Sequence, residues 1–205
     1  WKEDDPRSKI TLDQLLRMSS GLQFDEDYGA FGDATKMLFV SSSSAGVAAA
    51  APAGEPDSVW SYSSGDTNLI SRSMRRTIND DAWYHRFPKK ELFDPIGARS
   101  AVFETDPSGT FVGSSFLYMT ARDWARVGQL ILQKGQWEGQ ALLDPKWVEY
   151  MCTPTPKAPL GQYGGQWWLN GGIGSAPAAR TYPNGPADLC AARGVESQRV
   201  IVIPR

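Results

Sequence analysis

The residues able to do chemistry are concentrated in one run, Trp60-Ser61-Tyr62-Ser63-Ser64-Gly65-Asp66-Thr67-Asn68. It sets a phenol among hydroxyls, between a Pro/Gly-rich approach and a helical pattern. A phenol beside small polar residues at a helix entrance suits proton transfer. The same run equally suits a turn that caps a helix. A phenol ionises near about 10, so Tyr62 needs a neighbouring cation to serve as a base at neutral pH. His85 is the single histidine, and a zinc site or a complete Ser-His-Asp triad would rest on it alone. A surface or packing role is the plainer reading. Cys152 and Cys190 lie far apart with no Cys or His at ligand spacing, and read as buried thiols rather than metal ligands or a disulfide.

Self-sufficient nucleophile motifs are absent. There is no Gly-x-Ser-x-Gly elbow, and no serine lies three residues before a lysine. The glycines from Gly161 to Gly174 are scattered and lack the Lys-Ser/Thr ending of a phosphate loop.

The elements that must position the Tyr62 run are helical first and stranded last. Ile10-Thr11-Leu12-Asp13-Gln14 is a helix start with Thr11 as N-cap, Gln14 as its capping-box partner and Ile10 as the staple. Gly21 is expected to end that helix. Residues 22–33 read as an acidic, aromatic loop able to rim a site, with Tyr28 a rim candidate. Short helices are expected around Thr35–Val40 and Ala45–Ala51. Val59–Tyr62 reads as extended. Asp66 is the expected N-cap of a helix through Leu69, Ile70, Met74 and Ile78, with Arg72, Arg75 and Arg76 turned to water. Asp80-Asp81 caps another helix, and Pro88 is expected to start the next one. Thr120 caps an amphipathic helix closed by Gly135, and Asp144-Pro145 opens a further one. Beyond Pro154, residues 166–169, 189–192 and 199–203 are strand-like. Of Trp167 and Trp168, one is expected in the core and the other at a cleft. Tyr163 is a second rim candidate.

Composition excludes several functions. In 205 residues, Lys+Arg is 21 against Asp+Glu 23, and no basic block exists, so nucleic acid is not an expected partner. No apolar run reaches the length of a membrane span. The chain begins on charged residues without Met and stops within strand-like sequence, so it is expected to be part of a longer protein, and its location stays open.

Four segments in order resemble the serine β-lactamase and penicillin-binding-protein superfamily, in the branch of class C enzymes, esterases and 6-aminohexanoate-dimer hydrolases. Ile10-Thr11-Leu12-Asp13-Gln14-Leu15-Leu16-Arg17-Met18-Ser19-Ser20-Gly21-Leu22 is similar to the family's Ile-Thr…Leu-Leu…Ser-Gly-Leu. Tyr62-Ser63-Ser64 resembles its Tyr-x-Asn/Ser element. Leu92-Phe93-Asp94-Pro95-Ile96-Gly97 resembles Leu-Phe-x-Pro-Leu-Gly. Ser114-Ser115 through Thr120-Ala121-Arg122-Asp123-Trp124-Ala125-Arg126-Val127-Gly128 resembles its Ser-Thr-Ala-x-Asp-Leu-Ala-Arg-Phe-Gly.

The resemblance implies an α+β (mixed α/β) fold of the β-lactamase/transpeptidase type: one partial domain over 1–205, mainly helical to about 153 and antiparallel strands beyond. It implies acyl transfer to a serine, cleaving an ester or amide of a small molecule, with the serine and lysine of a Ser-x-x-Lys outside these residues. A binding or scaffolding relative without chemistry is the alternative. Tyr62 matches the family's proton-transfer tyrosine. Ser64 stands where many β-lactamases carry an amide, which favours ester or amide over β-lactam substrates. The family's third element, Lys/His-x-Gly, falls on Val195-Glu196-Ser197: Val195 takes the cationic position and Ser197 the glycine, and Gln198 N–H is the candidate oxyanion donor. No metal or other cofactor is implied.

Overall fold

The first helix forms where the sequence places it. In α1 (Leu12–Leu16), Thr11 Oγ1 accepts from Gln14 N, and the Gln14 side chain accepts from Thr11 N at 2.8 Å. The ending differs from expectation. Met18, not Gly21, takes the left-handed conformation (φ 59°) just past the helix. Met18 N–H donates to Leu15 O and Ser19 N–H to Gln14 O, satisfying the last carbonyls. Met18 is 2% exposed, so burial holds it in a conformation that glycine would adopt more cheaply.

The computed structural model describes residues 1–48, 54–171 and 180–204. After α1 come α2 (Asp33–Thr35), continuing as a π-helical turn over Lys36–Val40, and α3 (Ser44–Ala48). The rest of the helix expected to Ala51 lies outside the described residues. α4 (Ser64–Ile78) and α5 (Asp81–Pro88) follow. Pro88 opens the next helical element as its N-cap, a π-helical turn over Lys89–Phe93, and is at the same time the last residue of α5, so the two run on without a break. A proline removes one hydrogen-bond donor from a helix, and a widened turn accommodates that loss. The strands β1 (Val102–Phe103) and β2 (Leu117–Tyr118) precede α6 (Ala121–Leu132), β3 (Gln136–Trp137), β4 (Gln140–Ala141) and α7 (Pro145–Met151). β5 (Trp168–Leu169), β6 (Cys190–Arg193) and β7 (Arg199–Val202) complete the order.

Two units share the chain. The first is Trp1–Asp81 with Phe103–Leu117; the second is Ala82–Val102 with Tyr118–Arg205. In the first, Leu15, Leu22, Met37, Ala45, Ala48 and Leu69 form a buried cluster, with Ile10 packed against it as a staple would be. Each large apolar side chain so buried contributes roughly 1.5–3 kcal/mol. Asp106 is the polar hub of this unit. It accepts from Ser44 N and Oγ (both 2.8 Å), Ser108 N (3.0 Å) and Oγ (2.5 Å), and Thr110 N (3.1 Å). Arg75 is not turned to water. Its guanidinium holds both Asp81 oxygens at 2.7 Å and donates to Ser108 O at 2.6 Å.

In the second unit, β5, β6 and β7 form an antiparallel sheet with β6 central; Trp168 faces Ala191, and Cys190 faces Val202. α6 and α7 begin on the caps the sequence names, Thr120 and Asp144, the latter with Pro145 at the first position. α6 packs on β7 so closely that a Cβ on Gly128 would stand 2.9 Å from Val200 Cγ1. Ile131, Val148, Trp167, Leu169, Cys190 and Val202 make the core. Trp167 is thus the core tryptophan. Trp168 meets Tyr163 edge-on and lies under the Arg193 guanidinium. The β3–β4 hairpin was not apparent from sequence. Its two turn residues, Glu138 (φ 47°) and Gly139 (φ 81°), are both left-handed, which matches the twist of a two-residue hairpin. The expected combination of helices with an antiparallel sheet is the observed fold.

Candidate active site

Tyr62 sits half-buried at the entrance to α4. That entrance is built from three directions within the first unit. Residues 18–22 run alongside residues 54–61: Ser61 N–H donates to Met18 O at 3.0 Å, Asp57 N–H to Ser19 O at 2.8 Å, and Gly54 N–H to Gly21 O at 3.1 Å. Gly21 is required here. Its φ is +73°, and a Cβ would lie 2.4 Å from Gly54 O.

The helix starts one residue after Ser63, not after Asp66. Ser63 Oγ accepts from Asp66 N at 3.2 Å and is the N-cap. Asp66 and Ser63 are both good cap residues by type. Ser63 is chosen because the next residue is held from elsewhere: Glu26 accepts Ser64 N–H at 2.8 Å and Ser64 Oγ–H at 2.5 Å. A carboxylate at a helix N-terminus is favoured by the unpaired N–H groups and the helix dipole. Tyr28 O–H donates to the same carboxylate at 3.1 Å. Burial pushes the Tyr28 phenol above its ordinary range, with the Glu26 charge adding to the effect and a hydrogen bond with Ser64 opposing it.

Asp66, displaced into the first turn, is 1% exposed. Ser20 Oγ donates to its Oδ1 at 2.8 Å, while Oδ2 has no hydrogen-bond partner among the described residues. Burial pushes its carboxyl up to about 7, against the pull of the Ser20 hydrogen bonds. A charge in the first turn of a helix gains only about 0.3–1 kcal/mol. Removing a carboxylate from water costs more than that, so desolvation wins.

Ser197 and Gln198 belong to the second unit and are exposed. Val195–Ser197 is a tight turn between β6 and β7 rather than a plain strand entry, with Glu196 (φ 55°) and Ser197 (φ 65°) left-handed. Gly194 N–H donates to Gln198 O at 2.8 Å, and Gln198 N–H to Val195 O at 3.3 Å. Val195 itself is 67% exposed. Tyr62 and Ser64 lie in the first unit.

His85 is exposed and stacks edge-on with Tyr84 at 5.4 Å. Tyr163 is buried and serves packing, not a rim. Among the described residues no three His, Cys, Asp or Glu side chains converge as a metal site would. Glu26 and Ser20 are polar residues that sequence reasoning did not attach to the site, and Asp66 was read there only as a cap. The signal available was slight: Glu26 falls in the acidic loop expected to rim it.

These elements, helices together with an antiparallel sheet, are of the β-lactamase/transpeptidase type. The family model described as Beta-lactamase matches residues 1–186, and the chain belongs to that family. Among solved structures it is similar to a candidate 6-aminohexanoate-dimer hydrolase from Bacillus anthracis, with TM-score 0.76 and 21% identity, covering 98% of this chain and 54% of that one. It is similar to a candidate beta-lactamase from Bacteroides dorei (TM-score 0.70, 15% identity, 98% and 62% covered). A beta-lactamase from Mycobacterium bovis gives TM-score 0.64 and 14% identity, with 95% and 62% covered. At these identities the likeness is one of fold. The chain spans between about half and three-fifths of the length of these structures. A search of curated proteins returns no match.

Proposed function

We propose that this chain is part of a serine hydrolase that cleaves an ester or amide bond of a small molecule through an acyl-enzyme. The observation that carries the reading is the family match over residues 1–186, together with Tyr62 at the capped mouth of α4. Tyr62 is the proton-transfer residue. Its phenol carries the proton from the attacking serine to the leaving group, and the serine and its lysine lie outside these residues. Ser64 holds the mouth through Glu26, which leaves its backbone fixed beside Tyr62. By the family resemblance, Ser197 and the Gln198 N–H of the β6–β7 turn are proposed for the acyl oxygen, a role that requires the Gln198 N–H to give up its 3.3 Å bond to Val195 O.

Replacing Tyr62 by Phe in the full-length protein removes the proton carrier and leaves the ring. Turnover of a p-nitrophenyl ester is expected to fall by about 10²–10⁴, with the protein still folded by circular dichroism. Turnover equal to that of the unaltered protein overturns the assignment.

A second reading is a relative that keeps the fold without the chemistry. It draws on Val195 in the place of a cation or imidazole, and on the Gln198 N–H already given to Val195 O. Labelling of the full-length protein by a fluorophosphonate, mapped to a serine by mass spectrometry, separates the two. Label on a serine supports the hydrolase, and no label supports the second reading.

A further inference from the structure

Cys152 and Cys190 are 38 positions apart in sequence, and the fold places their sulfurs 2.8 Å from each other. Both are free thiols. Cys152 ends α7, and Cys190 opens β6, the central strand of the sheet. Their packing partners are mainly apolar: Cys190 lies in the cluster of Ile131, Val148, Trp167, Leu169 and Val202, and Cys152 packs against it beside Met151, with the Asp188 carboxylate the charged group that acts on Cys190. A disulfide sulfur pair stands at about 2.05 Å, so bond formation asks the two sulfurs to close by less than about 1 Å. Nothing in the family match or in the proposed hydrolysis uses these residues. The two cysteines differ in access as an attacking and a resolving thiol do. Cys152 is half-buried, while Cys190 is 1% exposed.

We infer that Cys152 and Cys190 form an oxidisable pair, closed to an intramolecular disulfide by a small-molecule disulfide such as oxidised glutathione or by a dithiol–disulfide oxidoreductase. Cys152 as thiolate attacks one sulfur of the oxidant. The oxidant's S–S bond breaks, and one thiolate leaves and takes a proton. Cys190 then gives its proton to solvent and attacks Cys152 Sγ, expelling the second oxidant thiolate. Two cysteine thiols are oxidised, and one oxidant disulfide is reduced to two thiols. The order of attack agrees with the thiols' acidity. The hydrogen bond between them holds Cys152 below its ordinary range against burial, and the same contact, with burial, pushes Cys190 up. The bond ties the end of α7 to the strand that leads into the Val195–Ser197 turn. It closes a long loop, which restricts the unfolded chain.

The test uses the full-length protein, equilibrated with excess oxidised glutathione or with dithiothreitol, then alkylated, digested without reduction and mapped. The expected result is a linked Cys152–Cys190 peptide about 2 Da lighter than the sum of its two thiol peptides. Oxidation is also expected to raise the thermal midpoint by about 5–10 °C. Cys152→Ser is expected to lose that rise. Complete alkylation of both thiols after oxidation of the native protein overturns the inference. So does a stable glutathione adduct on Cys152 with Cys190 still alkylated, or an equal rise in the Cys152→Ser protein. The pairing is independent of the hydrolase reading, because the peptide map is read without any substrate.

Discussion

Asp66 makes the stability of the α4 mouth depend on pH, and the size of the effect follows from its burial. In the fold its carboxyl is raised from 3.8 to about 7. A folded-state value above the unfolded one means that the neutral form is favoured by folding. The contribution is therefore fully present below about pH 3.8, declines between there and about 7, and is lost above. The slope is about 1.4 kcal/mol per pH unit, and the whole span of about three units amounts to about 4 kcal/mol. Asp66→Asn keeps the acceptor for Ser20 Oγ and cannot ionise. It also places an amide N–H where Oδ2 has no partner, a cost of about 1–3 kcal/mol at every pH. That cost is constant, so the pH-dependent part isolates the ionisation. Urea unfolding of the unaltered and Asp66→Asn proteins should show the variant gaining about 2–3 kcal/mol relative to the original between about pH 5 and about pH 8. A difference that stays flat over that range refutes the reasoning, because it means that Asp66 ionises without penalty in the fold.

Two further outcomes follow from the same unit. Asp106→Ala strands the donors of Ser44, Ser108 and Thr110 and should cost about 2–4 kcal/mol in denaturant unfolding. Burial raises the Asp106 carboxyl, but the hydrogen bonds from Ser108, Ser44 and Thr110 outweigh it and hold the group below its ordinary range. Its ionisation-linked contribution is thus present above about pH 3.8 and lost as pH falls through the folded value, opposite in sign to Asp66; the gap in urea midpoint between the Asp106→Ala and unaltered proteins should accordingly narrow in acid. Gly21→Ala brings a Cβ to 2.4 Å from Gly54 O at a φ of +73° and should cost at least about 2 kcal/mol, read as a lowered thermal midpoint.

Much of the chain was legible because its signals are local. A cap speaks to a backbone N–H two or three residues away, so Thr11, Thr120 and Asp144 mark their helices wherever those helices end up. The three strands of the sheet were legible from apolar runs between Gly and Pro. The ordered segments from Ile10 to Gly128 were enough to name the superfamily. Two of the misplaced features involve a partner that the local pattern does not contain. Ser63 displaced Asp66 as the cap because Glu26, 38 positions before Ser64, takes the Ser64 N–H and hydroxyl. Arg75 is partly withdrawn from solvent because Asp81 and the Ser108 carbonyl meet its guanidinium.

By itself, then, the sequence determined the main helices, the three strands of the sheet, their order and the family, and it placed Tyr62 at a helix entrance. Only the tertiary structure decided what surrounds that entrance. It buried Asp66 away from water, brought Glu26 to the helix N-terminus and set Cys152 against Cys190. Hydrogen bonds within a turn are written in the spacing of neighbours. The desolvation of a carboxyl, or the meeting of two sulfurs 38 positions apart, exists only once the core has closed around them.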